Sequence, residues 1–333
     1  SNPLLSSGLP EFEAIDPAHA KPAIEELITD YQTLIDDISA MSQDEADYET
    51  VVWAEAIADE RLSNAWSTIG HLNRVKNTDQ WREAFQSCLP LVSRFATERA
   101  QNKGLFKAYK ALSERTDFVD QPKSVQTAIQ HQLRDFTLSG IDQSQEIRDQ
   151  LKEKTLRMSE LSNQFGNHVM DATDQFQVHF EDESELSGLP SDALLQMAER
   201  AKAHDKSGYL ADLSPPSYRA IVTYADNASL RQQFYEAYST RASDQGPQAG
   251  QFDNTPLVSE ILMLRQQIAQ LLGFEHHAHY RLETRMANSV DEIEVFLRDL
   301  AERARPMAEK QLEALTKFAK THGAADSLQP WDI

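Results

Sequence analysis

The sequence is poor in the residues that mark several classes of protein. Its single cysteine, Cys88, excludes an internal disulfide framework and a cysteine-based zinc finger. Cys88 sits in a helical stretch, and we interpret it as a small buried apolar residue rather than a nucleophile. No apolar run reaches the roughly 18 residues of a transmembrane helix. The first residues lack the basic and then apolar pattern of a signal peptide. The sequence therefore predicts a soluble cytoplasmic protein.

Positive charge is also scarce. Lysine and arginine together number 32 against 53 aspartates and glutamates, which gives a formal net charge of −21. An acidic surface of this size repels phosphate backbones and anionic lipid headgroups. We therefore expect neither nucleic acid nor a membrane among the partners.

Familiar catalytic motifs are missing as well. The sequence contains no GxxxxGK[ST] phosphate loop, no GxGxxG turn and no GxSxG nucleophile elbow. The H-E-x-x-H pair of zinc peptidases is absent, because none of the ten histidines is followed by glutamate with a second histidine at i+4. From these motifs we predict no catalytic residue, no cofactor-binding residue and no metal ligand in this chain.

Glycine is sparse, with eleven residues, so helix is expected to dominate. Asp16 and Pro17 form a helix start, and a stripe of five apolar residues follows on one face: Ile24, Leu27, Ile28, Tyr31 and Ile35. Hydrophobic periodicity predicts further helices over 49–75, 78–101, 103–114, 122–138, 216–225, 227–242 and 255–273. A last helix begins with a predicted capping box, Ser289 to Glu292, and closes at Gly323. Pro306 lies inside it and is predicted to kink or split it.

The longest early helix is predicted over 143–173. Six residues follow 4-3 spacing and predict a seam for an antiparallel helical partner: Ile147, Leu151, Met158, Leu161, Phe165 and Ala172. His168 interrupts this seam. We interpret it as a partly buried, hydrogen-bonded histidine without a functional role.

A change to period two follows this helix. Phe176, Val178 and Phe180 alternate with polar residues, and a second extended run begins at Gly208 and ends before Pro215. A short helix lies between the two runs. We predict a mostly α protein: a multi-helix body with long antiparallel helices and a small inserted strand pair, with strands confined to 174–181 and 207–213. His179 falls on the polar face of the first strand and is expected to be solvated.

The stretch FEHHAHY, residues 274–280, carries three histidines in four positions. On a helix, Glu275, His279 and Glu283 would share one side at i, i+4 and i+8, and carboxylate and imidazole are usual metal ligands. Charged residues at this spacing are also what an ordinary solvated helix face contains. We therefore interpret the stretch as a solvated helix start, with a metal-binding helical protein as an alternative.

Several stretches resemble the thimet oligopeptidase family of zinc metallopeptidases. They include FTLSGI from Phe136, LSNQFGNHVMDAT from Leu161, ELSGLP from Glu185, LAERARPMAEKQLEAL and the closing LQPWDI. The densest stretch runs from Glu236 to Phe274, and the likeness covers essentially the whole chain in one register. The resemblance implies an intracellular enzyme that cleaves short peptides in a deep channel, using a zinc-bound water assisted by a glutamate general base.

The resemblance also implies which part of such an enzyme this is. The family carries H-E-x-x-H and a further glutamate ligand in the C-terminal half of a chain about twice as long. Residues 1–333 are therefore expected to be the N-terminal helical region, one wall of the channel, with zinc only in the full-length parent and its own C-terminal catalytic half as partner. The histidines after LLGF fall in what is scaffold in the family.

Two consequences can be checked. The chain alone should be inactive, and helix faces that meet the catalytic half should carry apolar side chains without a partner. Trp331 and Ile333 are expected to be exposed, mobile or buried against a neighbouring molecule. The alternative function is a non-enzymatic helical scaffold that binds peptides or partner proteins in a concave face.

Overall fold

The computed structural model describes residues 2–42, 45–323 and 327–333, and confirms a mostly α fold with one small sheet. Within these ranges the twelve α-helices are α1 Ala20–Ala40, α2 Ala54–Lys76, α3 Asp79–Ala100, α4 Lys103–Ser113, α5 Lys123–Leu138, α6 Gln145–Gln175, α7 Ser191–Ala203, α8 Pro215–Tyr224, α9 Ala228–Ser239, α10 Thr255–Leu271, α11 His277–Leu282 and α12 Val290–Thr321. No helix in the described ranges is both long and apolar enough to cross a bilayer.

Local capping signals place several helix starts within a few residues of the prediction. Asp16 and Pro17 open a 3-10 turn that leads into α1, and the backbone N–H of Asp16 donates to His19 Nδ1 at 3.0 Å. α2 differs at its start. A π-helical turn, Tyr48–Trp53, capped by Asp47, precedes it. The side chains of Thr78 and Asn102 cap α3 and α4 by accepting a backbone N–H.

The described residues group into two compact units, and the first comprises residues 1–160 with 264–280. Its core is built around α1, whose apolar stripe contacts α2, α3 and α4. Ile24, Leu27, Tyr31 and Ile35 of this stripe are buried, as the periodicity predicts. Cys88 of α3 is buried too, and burial raises the pKa of its thiol. This agrees with the interpretation of Cys88 as a packing residue.

The second unit comprises residues 161–263 with 281–333 and contains the sheet. Strand β1, Gln177–Phe180, pairs antiparallel with β2, Tyr209–Asp212. Both lie within the predicted ranges. Gly208 begins the second run with φ +74°, and a Cβ there would lie 2.2 Å from the carbonyl oxygen of Phe180. The backbones of the two strands approach so closely at this end of the sheet that position 208 requires glycine.

His168 of α6 and His179 of β1 have the burial that the sequence predicts. His168 is half-buried, and its Nδ1 lies 2.8 Å from Oδ1 of the buried Asn254. Asn254 also donates through Nδ2 to the carbonyl of Phe165, so it ties α6 to the start of α10. His179 is exposed, with Nε2 2.6 Å from the Ser207 carbonyl oxygen.

Two predictions about α12 are wrong in part. The helix runs through Pro306 as one element of 32 residues, so it is not split there. Glu302, whose carbonyl loses its N–H donor at Pro306, is exposed, so water can satisfy that carbonyl. The capping box is only half formed. The Ser289 side chain accepts from the Glu292 N–H, but Glu292 accepts in return from the backbone of Asn288, not of Ser289.

Candidate functional site

The most prominent surface feature of the described residues is an uncovered apolar face on α12. None of the helix's residues is buried. The six large side chains that define the α12 apolar face are all exposed by more than a third: Phe296, Leu297, Leu300, Met307, Leu315 and Phe318. They recur at spacings of one, three, seven, eight and three residues, which places them on one side of an α-helix. From Phe296 to Phe318 the face is roughly 33 Å long at 1.5 Å per residue.

The remaining surface of α12 is charged, as on an ordinary solvated helix. Ion pairs at i,i+4 join Glu294 to Arg298 and Asp299 to Arg303. Pro306 projects from the side opposite the α12 apolar face, at 100° per residue. A helix with one long apolar side and one charged side normally buries the apolar side against another element. Exposed apolar patches of this kind mark interaction surfaces in soluble proteins. For the residues that the structure describes, the expectation of an apolar helix face left uncovered is therefore confirmed.

The prediction for the last residues is confirmed for Ile333 and wrong for Trp331. Ile333 is exposed, but Trp331 is half-buried against α9 of its own chain, with its ring 5.7 Å from that of Tyr235. Arg231 holds the segment in place. Its Nε donates to the Trp331 carbonyl at 2.9 Å, and its NH2 group donates to Asp332 Oδ1 at 2.7 Å. A fixed guanidinium with two acceptors therefore anchors this turn, and hydrophobicity alone could not indicate that contact.

The histidine-rich turn forms a cluster different from the one that its spacing suggests. The helix begins only at His277, so Glu275 and His276 precede α11. Ligand atoms of Glu275, His276 and His279 lie within 4.8 Å of one another. The alternative interpretation as a metal site named Glu275, His279 and Glu283, and the structure brings the first two together, with Glu275 Oε2 3.9 Å from His279 Nδ1. That interpretation missed His276, because the spacing argument assumed that Glu275 was helical.

The sequence also missed a buried polar network in the first unit. Glu55 of α2 is 2% exposed, and it accepts hydrogen bonds from Arg99 Nε at 2.7 Å, from the Tyr31 hydroxyl at 3.2 Å and from the Tyr109 hydroxyl. The four residues come from α1, α2, α3 and α4. No motif marks them, and their role here is to join helices.

Two family models and several known proteins match this chain. The family model for the neurolysin/thimet oligopeptidase N-terminal domain matches residues 22–148, and the model for peptidase family M3 matches residues 221–333. The chain belongs to the thimet oligopeptidase family. It is 43% identical to oligopeptidase A of Salmonella typhimurium over 334 residues, 42% identical to that of Haemophilus influenzae, and 33% identical to a probable cytosolic oligopeptidase A of Arabidopsis thaliana.

These relatives are longer than the present chain. In each of the three comparisons all of this chain is covered, but only 48 or 49% of the relative. The chain thus spans about half the length of the curated relatives it matches. The M3 match includes all of α12, so the uncovered face lies inside the peptidase-family region.

Peptidases of this family are zinc-dependent, but the residues of this chain do not fit a catalytic zinc site. The sequence has no H-E-x-x-H pair. In the described part of the chain, the group of potential ligands is Glu275, His276 and His279, whose spacing is not that of the motif. No step of peptide hydrolysis can therefore be assigned to residues 1–333.

Proposed function

We propose that this chain is the N-terminal, channel-wall half of a zinc-dependent oligopeptidase that hydrolyses short peptides in the cytoplasm. The matches to the M3 and N-terminal family models support the class of enzyme. The half-length coverage of the relatives and the absence of H-E-x-x-H support the assignment to a half without the catalytic centre. Zinc would be bound by the C-terminal half of the parent, and the present chain would be inactive alone.

The observation that carries the proposal is the α12 apolar face. Its six exposed side chains include two phenylalanines and three leucines, enough to bury a long helical contact. The face lies within the M3-matched region, and the relatives are about twice as long as this chain. The C-terminal catalytic half is therefore the partner that we assign to this face, with the channel for short peptides completed by the two halves together.

The test is reconstitution of the enzyme from two chains. Residues 1–333 are purified alone and also co-expressed with the remainder of the parent's reading frame, and hydrolysis of a fluorogenic peptide is measured. We expect no turnover from the 333-residue chain with or without added zinc, and chelator-sensitive turnover from the co-expressed pair. Chelator-sensitive turnover from the pure chain alone, or a pair that neither associates nor gains activity, would contradict the proposal.

Matched variants locate the contact. Phe296→Asp with Leu300→Asp places two charges on the α12 apolar face, and we expect at least a tenfold loss of association between the two halves. Val295→Asp is the control, because Val295 is 68% exposed on the same helix but on its other side. Equal effects of the two changes would show that the face is not the docking surface.

A further inference from the structure

We propose that Glu275, His276 and His279 form a binding site for a divalent transition-metal ion. Two imidazoles and a carboxylate are ligands that suit Zn²⁺, Ni²⁺ and Cu²⁺. One potential ligand atom from each residue lies within 4.8 Å of the other two. Three protein ligands leave at least one coordination position open to water. The proposal is independent of the proposed function, because all three ligands belong to this chain.

Backbone contacts fix the turn that carries the cluster. Gly273 ends α10 with φ +85°, and the N–H of Phe274 donates back to the Ala269 carbonyl at 2.9 Å. Gln266 of α10 donates through Nε2 to the carbonyl of Glu275 at 2.8 Å. The main chain at the first ligand is therefore held against α10. The next turn then presents His279 on the same side.

The ligand atoms of the cluster are not committed to other bonds. The rings of His276 and His279 stack at 3.9 Å between centroids, 16° from parallel, and Glu275 Oε2 lies 3.9 Å from His279 Nδ1. In the described part of the chain, the ring nitrogens of His276 and His279 make no hydrogen bond, and no lysine or arginine pairs with Glu275. In this part of the chain, ion binding therefore costs the stacking of the two rings but no hydrogen bond of either imidazole.

Two further properties favour a cation here. Both histidines are half-exposed, so each ring has room to rotate about χ2 until the nitrogen lone pairs converge, which parallel stacking does not allow. A net charge of −21 raises the local concentration of cations around the protein. The site would therefore close when the two rings rotate out of their stack towards a bound ion.

The direct test is a Zn²⁺ titration of the 333-residue chain, purified without a polyhistidine tag and dialysed against chelator. We expect saturable binding of one equivalent by calorimetry. His276→Ala and His279→Ala should each weaken the affinity at least tenfold, and Glu275→Gln should weaken it less, since both imidazoles remain. His131→Ala is the control, because it removes an exposed histidine elsewhere. No saturable binding, or binding that the two histidine variants leave unchanged, would overturn the proposal.

A second measurement needs no variant. By the usual order of divalent affinities, Cu²⁺ binds such a site more tightly than Zn²⁺. We expect substoichiometric Cu²⁺ to broaden the ring resonances of His276 and His279 first, with two-nitrogen coupling in the electron paramagnetic resonance spectrum. Broadening that begins at other histidines would also overturn the site.

Discussion

At the scale of single residues, the buried carboxylate of Glu55 links four helices through three side-chain contacts. It lies in a low-dielectric environment and is compensated by Arg99 and by two tyrosine hydroxyls. Burial and the charge of Glu55 both raise the pKa of Tyr31 and of Tyr109. Burial alone would lower the pKa of Arg99, but the charges and hydrogen bonds of Glu55 and Tyr31 together outweigh burial and raise that pKa. The Arg99 guanidinium is therefore charged at all ordinary pH values.

Removal of the arginine should destabilise the first unit strongly. Arg99→Ala leaves Glu55 as a buried charge with only hydroxyl partners, and the loss expected for breaking such a pair is about 3–5 kcal/mol. The free energy of unfolding is measured by urea denaturation followed by circular dichroism. The control is Arg303→Ala, which breaks the exposed pair with Asp299 and should cost less than about 1 kcal/mol. Equal losses for the two variants would show that the buried network contributes no more than a surface pair.

The sequence could not predict this network, and the reason is physical. Glu55 meets partners 24, 44 and 54 positions away, which only the packing of four helices brings together. Local spacing predicted the buried face of α1, because that signal is contained within one helix. The same distinction explains the histidine-rich turn. The sequence paired Glu275 with His279, but the bend before α11 brings in His276.

At the scale of elements, hydrogen bonds and ion pairs fix the positions of segments whose packing the hydrophobic pattern does not predict. The 3-10 turn Pro330–Asp332 follows the undescribed residues 324–326 and packs on α9. Burial raises the pKa of the Asp332 carboxyl. The hydrogen bond and charge of Arg231, together with a bond from the Gln329 N–H, outweigh burial and lower this pKa overall. The ion pair therefore stabilises the docked turn.

Acid should release this turn. Because the pKa of Asp332 is lowered on docking, its contribution is complete above the ordinary value of about 3.9 and is lost as the pH falls through the lowered value. We expect the indole N–H resonance of Trp331 to shift towards its position in an unfolded peptide as the pH drops below about 4. In Asp332→Asn the resonance should start nearer that position and depend less on pH. A Trp331 resonance that follows the same acid titration in both proteins would contradict the assignment to Asp332.

Whole-molecule properties set two forces against each other. The net charge of −21 opposes self-association, whereas the α12 apolar face favours it. The composition alone predicts the charge repulsion between copies. Sequence signals predicted a helix that begins near Ser289 and closes at Gly323, but only the structure shows that its apolar side is covered by no described element. The proposed docking of a catalytic half would give this exposure a physical reason, since the relatives are about twice as long.

Salt should shift this balance towards association. A rise in ionic strength from about 20 mM to about 500 mM shortens the Debye length to a few ångströms, so it screens repulsion between copies but does not weaken apolar contacts. We expect the 333-residue chain to sediment as a monomer at low salt and to form dimers or larger species at high salt. Phe296→Asp with Leu300→Asp should remain monomeric at both, while Val295→Asp should associate like the unchanged chain. Association that weakens with salt would instead show that ion pairs, and not the α12 apolar face, hold the copies together.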